Sequence, residues 1–128
     1  MRQAPRAERP LTEAAADYEQ QLTHLLGSGV HIRLGLLGLG ADGHTASLFS
    51  DTDLAAASGH LAVAVHRPDG MYAVSVTPQL LAQVEALLFV AAGEGKRDAL
   101  QALEARDPGL TAWRAVQGSA SVELWTLS

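Results

Sequence analysis

The feature that most constrains this chain is the run Leu36-Leu37-Gly38-Leu39-Gly40-Ala41-Asp42-Gly43-His44, where an apolar segment breaks into three glycines at positions 38, 40 and 43. Ile32–Leu37 is short, apolar and bounded by glycines, so it reads as a buried strand. Gly38–Gly43 reads as a turn, and a short helix is expected to begin near Thr45. A strand that feeds a glycine turn and then a helix belongs to an α/β sheet, where ligands bind beyond the carboxyl ends of the strands. Glycines in such a turn permit positive φ and let backbone N–H groups come close to an oxyanion or a phosphate.

The remaining pattern supports the same class. Residues 1–10 are polar, hold Pro5 and Pro10, and read as a tail. Leu11, Ala14, Ala15, Tyr18, Leu22, Leu25 and Leu26 recur at helical spacing, which predicts a helix over Thr12–Leu26 stopped by Gly27. Strands are predicted at Leu61–Val65, Tyr72–Val76, Leu87–Ala92 and Val122–Thr126. Helices are predicted at Pro78–Glu85, with Pro78 in the first turn where a missing N–H costs nothing, and at Gly95–Ala105, with a break at Asp107–Gly109. This alternation implies one α/β domain over residues 11–128, a mostly parallel, Rossmann-like sheet covered by helices.

Composition removes several functions. The formal net charge of −5 leaves no basic stripe to displace counterions from duplex nucleic acid. The absence of cysteine excludes disulfides, thiolate catalysis and cysteine-based zinc sites. No segment approaches the ~18 uninterrupted apolar residues needed to cross a bilayer. The first ten residues lack the apolar run of a signal peptide, so a cytoplasmic protein is expected. His24 and His31 lie far from carboxylates, His60 and His66 flank a strand, and Asp42 and His44 alone are too few ligands, so no metal is implied. Ser47 has no nucleophile-elbow context, and no organic cofactor is implied.

His44 sits where the turn feeds the helix, so its imidazole should face the crevice beyond the strand. A positioned imidazole base contributes ~10²–10⁴-fold in rate, enough for attack of water on an activated ester. Residue chemistry alone favours a plainer reading, an exposed loop residue or a helix cap, and Asp42-Gly43 is ordinary turn chemistry. Gly38, Gly40 and Gly43 also satisfy the dinucleotide-binding fingerprint. That fingerprint calls for an acidic residue at the end of the next strand, whereas Leu61–Val65 ends in His66-Arg67 and Asp69 arrives late.

Against that background, Gly35-Leu36-Leu37-Gly38-Leu39-Gly40-Ala41-Asp42-Gly43-His44-Thr45-Ala46-Ser47-Leu48-Phe49 closely resembles the signature of the 6-phosphogluconolactonases. Glucosamine-6-phosphate deaminases share the glycines, the Asp and the His, but Thr45–Phe49 resembles the lactonase branch. The resemblance implies hydrolysis of 6-phosphogluconolactone in the pentose phosphate pathway, with His44 and Asp42 as catalytic residues and Gly40 and Gly43 against the substrate. Gly93 and Lys96, after the strand Leu87–Ala92, resemble the element whose lysine binds the sugar phosphate in that family. Trp125 resembles a tryptophan of the family's closing strand and is expected in packing.

The resemblance covers the C-terminal half of the family pattern. The N-terminal Gly-Gly-Ser/Thr phosphate loop and an acidic-Arg motif have no counterpart, and Tyr72 or Ala73 stands where a phosphate-binding arginine is usual. Arg67 is a nearby substitute, and Ser50 replaces the proline after Phe49. A non-catalytic half-domain is therefore an alternative to an active enzyme. Half of a parallel sheet also exposes an apolar edge, so self-association is expected.

Overall fold

The computed structural model describes residues 10–92 and 94–127, so most of the polar tail and Gly93 lie outside the described residues. The first helix, α1, runs over Leu11–Gly27. It is followed by strand β1 (Leu34–Leu37), helix α2 (Asp51–Ala57) and strands β2 (Ala62–His66) and β3 (Tyr72–Val76). Then come helix α3 (Pro78–Leu81), strand β4 (Ala86–Ala92), a 3-10 turn at Glu94–Lys96, helices α4 (Arg97–Glu104) and α5 (Thr111–Val116), and strand β5 (Val122–Leu127).

β1, β4 and β5 form a parallel sheet in the order β1-β4-β5, with Leu37 opposite Phe89 and Phe89 opposite Leu124. β2 and β3 form a separate antiparallel hairpin, with His66 opposite Tyr72. Alternation along the chain does not report that pairing. The turn chemistry does, since Arg67-Pro68-Asp69-Gly70 closes with Arg67 N–H on the Met71 carbonyl at 2.7 Å and Gly70 at φ +87°.

The sheet has one dry face. Leu87, Phe89 and Ala91 of β4 are buried against Ala57 of α2, Leu81 of α3, Ala99 and Leu103 of α4 and Ala112, Ala115 and Val116 of α5. A second cluster, with Leu22 of α1 against Leu61, Ala62 and Leu80, holds α1 on the hairpin. The other sheet face is open: Leu34 and Leu36 of β1, Val90 of β4 and Trp125 of β5 are 57%, 67%, 38% and 59% exposed. The expectation of a sheet covered by helices therefore holds for one face among the described residues. Trp125 lies on the open face, not in a core.

Three elements depart from expectation. No helix begins near Thr45: Thr45–Leu48 is a tight turn with Leu48 N–H on the Thr45 carbonyl at 3.0 Å, and α2 starts at Asp51. Ala46 at φ +52° leaves the right-handed path, and the cap is Ser50, whose hydroxyl accepts the Asp53 N–H. Ser50, which replaces a proline of the family pattern, is thus a helix start. The helix at Pro78 ends at Leu81, short of Glu85, and its Thr77 cap accepts the Leu80 N–H at 3.2 Å. Helix α5 was not predicted: it is six residues long and its cap position, Leu110, makes no side-chain bond.

Candidate active site

The loop after β1 is built from its own backbone. The Gly40 N–H donates to the His44 carbonyl and the Gly43 N–H to the Gly40 carbonyl, both at 2.9 Å. Thr45, fully buried, donates its hydroxyl to the Gly38 carbonyl at 2.8 Å. The Gly43 carbonyl accepts the Ala112 N–H at 2.8 Å, which ties the loop to the start of α5. The Ser47 N–H donates to the Ser75 hydroxyl of β3 at 3.1 Å. The loop is thus fixed to two other elements.

Within this frame Asp42 and His44 meet. Asp42 Oδ1 accepts the His44 backbone N–H at 3.2 Å and also contacts Nδ1 of the His44 ring. A proton on Nδ1 facing that carboxylate leaves Nε2 with its lone pair, the tautomer a general base needs. Burial pushes the Asp42 carboxyl up, but its bonds to the His44 ring and N–H, and the attraction of the imidazole, outweigh it and hold the group below its ordinary value. The His44 side chain is 27% exposed, so water reaches it without flooding it.

Gly40 is required by this pair. A Cβ there would overlap Nδ1 and Cε1 of His44 and would come within 2.6 Å of Asp42 Oδ1. Gly43 holds φ +89°, and a Cβ on it would meet Leu110 at 2.6 Å. The two glycines serve shape, and their amides are spent inside the loop. An oxyanion held by this turn would fall to amides other than those of Gly40 and Gly43.

Arg67 and Phe49 complete the surroundings. The Phe49 ring lies 4.2 Å from the His44 ring, centroid to centroid, and the Arg67 guanidinium carbon lies 5.5 Å from the Phe49 centroid. Arg67, proposed from sequence as a substrate group, thus stands one ring away from the imidazole. Lys96, half-buried, follows β4 at the N-cap of α4, at the same carboxyl end of the sheet as the His44 loop. The sequence had placed it in the first turn of that helix. Among the described residues no three His, Asp or Glu side chains converge on a metal-sized point.

A family model for the glucosamine-6-phosphate isomerases/6-phosphogluconolactonase matches residues 2–125. The chain belongs to this family. A 6-phosphogluconolactonase of Haemophilus influenzae is 31% identical over 87 residues, which are 68% of this chain and 37% of that protein. The bovine 6-phosphogluconolactonase is 32% identical over 124 residues, 92% of this chain and 48% of that protein. The crystal structure of a 6-phosphogluconolactonase from Thermotoga maritima superposes with a TM-score of 0.75 at 24% identity, over 92% of this chain and 52% of that one. The chain thus spans 37% to 52% of the length of these proteins. Membership in the family agrees with the resemblance read from residues 35–49.

One residue of the site, and one contact within it, escaped the sequence reading. Ser75 is buried, accepts the Ser47 N–H and donates to the Val76 carbonyl at 2.8 Å. A lone serine in the strand Tyr-Ala-Val-Ser-Val was the available signal. Phe49 belongs to the signature run, but its contact with the His44 ring left no comparable sign, because a ring contact between loop residues follows no periodicity.

Proposed function

We propose that this chain carries the lactone-opening site of a 6-phosphogluconolactonase, acting on 6-phosphogluconolactone in the pentose phosphate pathway. The observation that carries the proposal is the Asp42 carboxylate held on Nδ1 of His44, in the loop at the carboxyl end of β1. His44 Nε2 takes a proton from water as the water oxygen adds to the lactone carbonyl. Collapse of the tetrahedral adduct breaks the bond to the ring oxygen, which receives the proton back from His44. One water is consumed, and the product is a hydroxy acid that ionises at neutral pH. Charge on the carbonyl oxygen has to be met by donors other than the Gly40 and Gly43 amides, which are engaged.

Lys96 and Arg67 are the cations assigned to the phosphate. Lys96 adds its charge at the start of α4, and Arg67 offers the planar donor fork suited to phosphate oxygens. No cofactor enters these steps. Because phosphorylated sugars are charged and confined by membranes, the reaction belongs in the cytoplasm, and with a net charge of −5 the chain has no nucleic-acid role. No helix among the described residues is long and apolar enough to cross a membrane.

The test compares 6-phosphogluconolactone with unphosphorylated gluconolactone, followed by proton release above the spontaneous rate. Preference for the phosphorylated lactone that falls in Lys96→Gln supports the proposal; equal rates for the two lactones contradict it. A second reading, a half-domain active only with a complementary segment or a second copy, is favoured by the open face at Leu34, Leu36, Val90 and Trp125. It expects association through this face and its β1 edge.

A further inference from the structure

The ring of Phe49 lies between the His44 imidazole and the turn that carries Arg67. On one side is the His44 imidazole, 4.2 Å away and tilted by 33°. Over the ring is the guanidinium of Arg67, 5.5 Å from its centroid, which belongs to the turn between β2 and β3. The Phe49 backbone is pinned, since its N–H donates to Asp53 Oδ2 at 2.8 Å at the start of α2. Arg67 is pinned as well: its N–H donates to the Met71 carbonyl at 2.7 Å, and Asp69 Oδ2 lies 3.3 Å from its Nε. The Arg67 side chain as a whole is 41% exposed although its Nε is buried, and a guanidinium carries four further N–H donors beyond Nε.

Asp42 fixes one edge of the imidazole but does not fix rotation of the ring plane about that bond. The Phe49 ring supplies that second restraint. A cation over an aromatic face is attracted to it by about 0.5–1 kcal/mol at an exposed site, so Arg67 and the ring hold each other in place.

We propose that Phe49 is a positioning residue for His44, and that through it the Arg67–Met71 turn is coupled to the imidazole, so that an anionic group bound at Arg67 is felt at His44. This rests on the lactonase reading only for the identity of the anion as a sugar phosphate. The coupling makes the β2–β3 turn the specificity element of the site, and Phe49 the part that aligns the base when the anion is present.

The test is proton NMR of the 128-residue chain, with His44 lines assigned by their loss in His44→Gln, and inorganic phosphate as the probe. The expected result is that His44 ring protons lie upfield of those of the exposed His24 and His31, from the Phe49 ring current, and shift saturably with phosphate. Phe49→Leu should move the lines downfield and abolish the phosphate response, Phe49→Tyr should restore both, and Arg67→Gln should remove the response alone. Arg67 lies in an exposed turn, so that variant stays informative where Phe49→Leu unfolds the loop. Unmoved His44 lines in Phe49→Leu, no response in the parent chain, or a response that survives Arg67→Gln overturns the proposal. The expected shifts without any lactone hydrolysis would uphold the coupling and remove the hydrolytic reading instead.

Discussion

Asp42 and His44, two positions apart in a glycine loop, are joined twice: one carboxylate oxygen accepts both the His44 backbone N–H and a ring nitrogen. The first bond shapes the turn and the second orients the imidazole. Two roles that seemed alternatives for Asp42 are therefore the work of one atom.

That double contact makes Asp42→Asn informative. The amide oxygen still accepts the backbone N–H, so the loop keeps its shape, but a neutral amide no longer stabilises the imidazolium that forms as water attacks. Lactone turnover is expected to fall by about 10–10²-fold, within what a general base contributes. The thermal midpoint should move little. A loss of folding with turnover per folded molecule unchanged would assign Asp42 to the turn alone.

Gly40→Ala addresses the same pair from below. The new methyl would occupy the space of Nδ1 and Cε1 of His44, so the imidazole must move. A displacement near 1 Å costs about 10²-fold in rate. The expected outcome is a folded protein, by circular dichroism, with turnover reduced by about that factor. Full activity would show that the imidazole is not confined where the structure places it.

The acid limb of stability should involve Glu19. Its carboxylate in α1 accepts the Leu61 N–H and contacts His60 Nδ1 at 3.0 Å, stapling the helix to the hairpin. Burial raises this group, but the bond from Leu61 and the attraction of His60 leave it below its ordinary value. A carboxyl lowered in the folded state stabilises above its unfolded value and loses that contribution as pH falls through the folded one. Asp42 adds in the same direction. Melts should therefore weaken as pH drops below about 4. Glu19→Ala, which strands the Leu61 N–H, should cost about 1–3 kcal/mol at pH 7 and flatten this dependence. An unchanged acid profile in that variant would sink the assignment.

How much of this was legible beforehand follows from what each signal encodes. The loop at Gly38–His44 and the strands at Tyr72–Val76 and Leu87–Ala92 were legible, because glycine spacing and apolar runs act locally. The open face of the sheet was not, since it depends on which partners are present, and the antiparallel pairing of β2 with β3 was legible in the turn Arg67–Gly70 but not in the alternation of elements. Sequence placed Asp42 and His44 together but could not show that Gly40 exists to make room for them. Phe49 and Ser75 act through tertiary contacts with no periodic trace.

The open face has its own consequence. Parallel sheets are normally buried on both sides, and Leu36 and Val90 are exposed on this one. Sedimentation of the chain is expected to give masses above the 13.4 kDa of a monomer that rise with concentration. Leu36→Glu together with Val90→Glu, both at exposed positions, should return it to a monomer. A parent chain that stays monomeric at hundreds of micromolar would contradict self-association.

The most direct measurement is hydrolysis of 6-phosphogluconolactone by this chain, followed by proton release against the spontaneous rate, beside His44→Ala. Acceleration that drops by two or more decades, about the share of a positioned base, is the expected result. Equal acceleration in the parent and in His44→Ala would remove His44 from the chemistry and contradict the assignment of this loop as the active site.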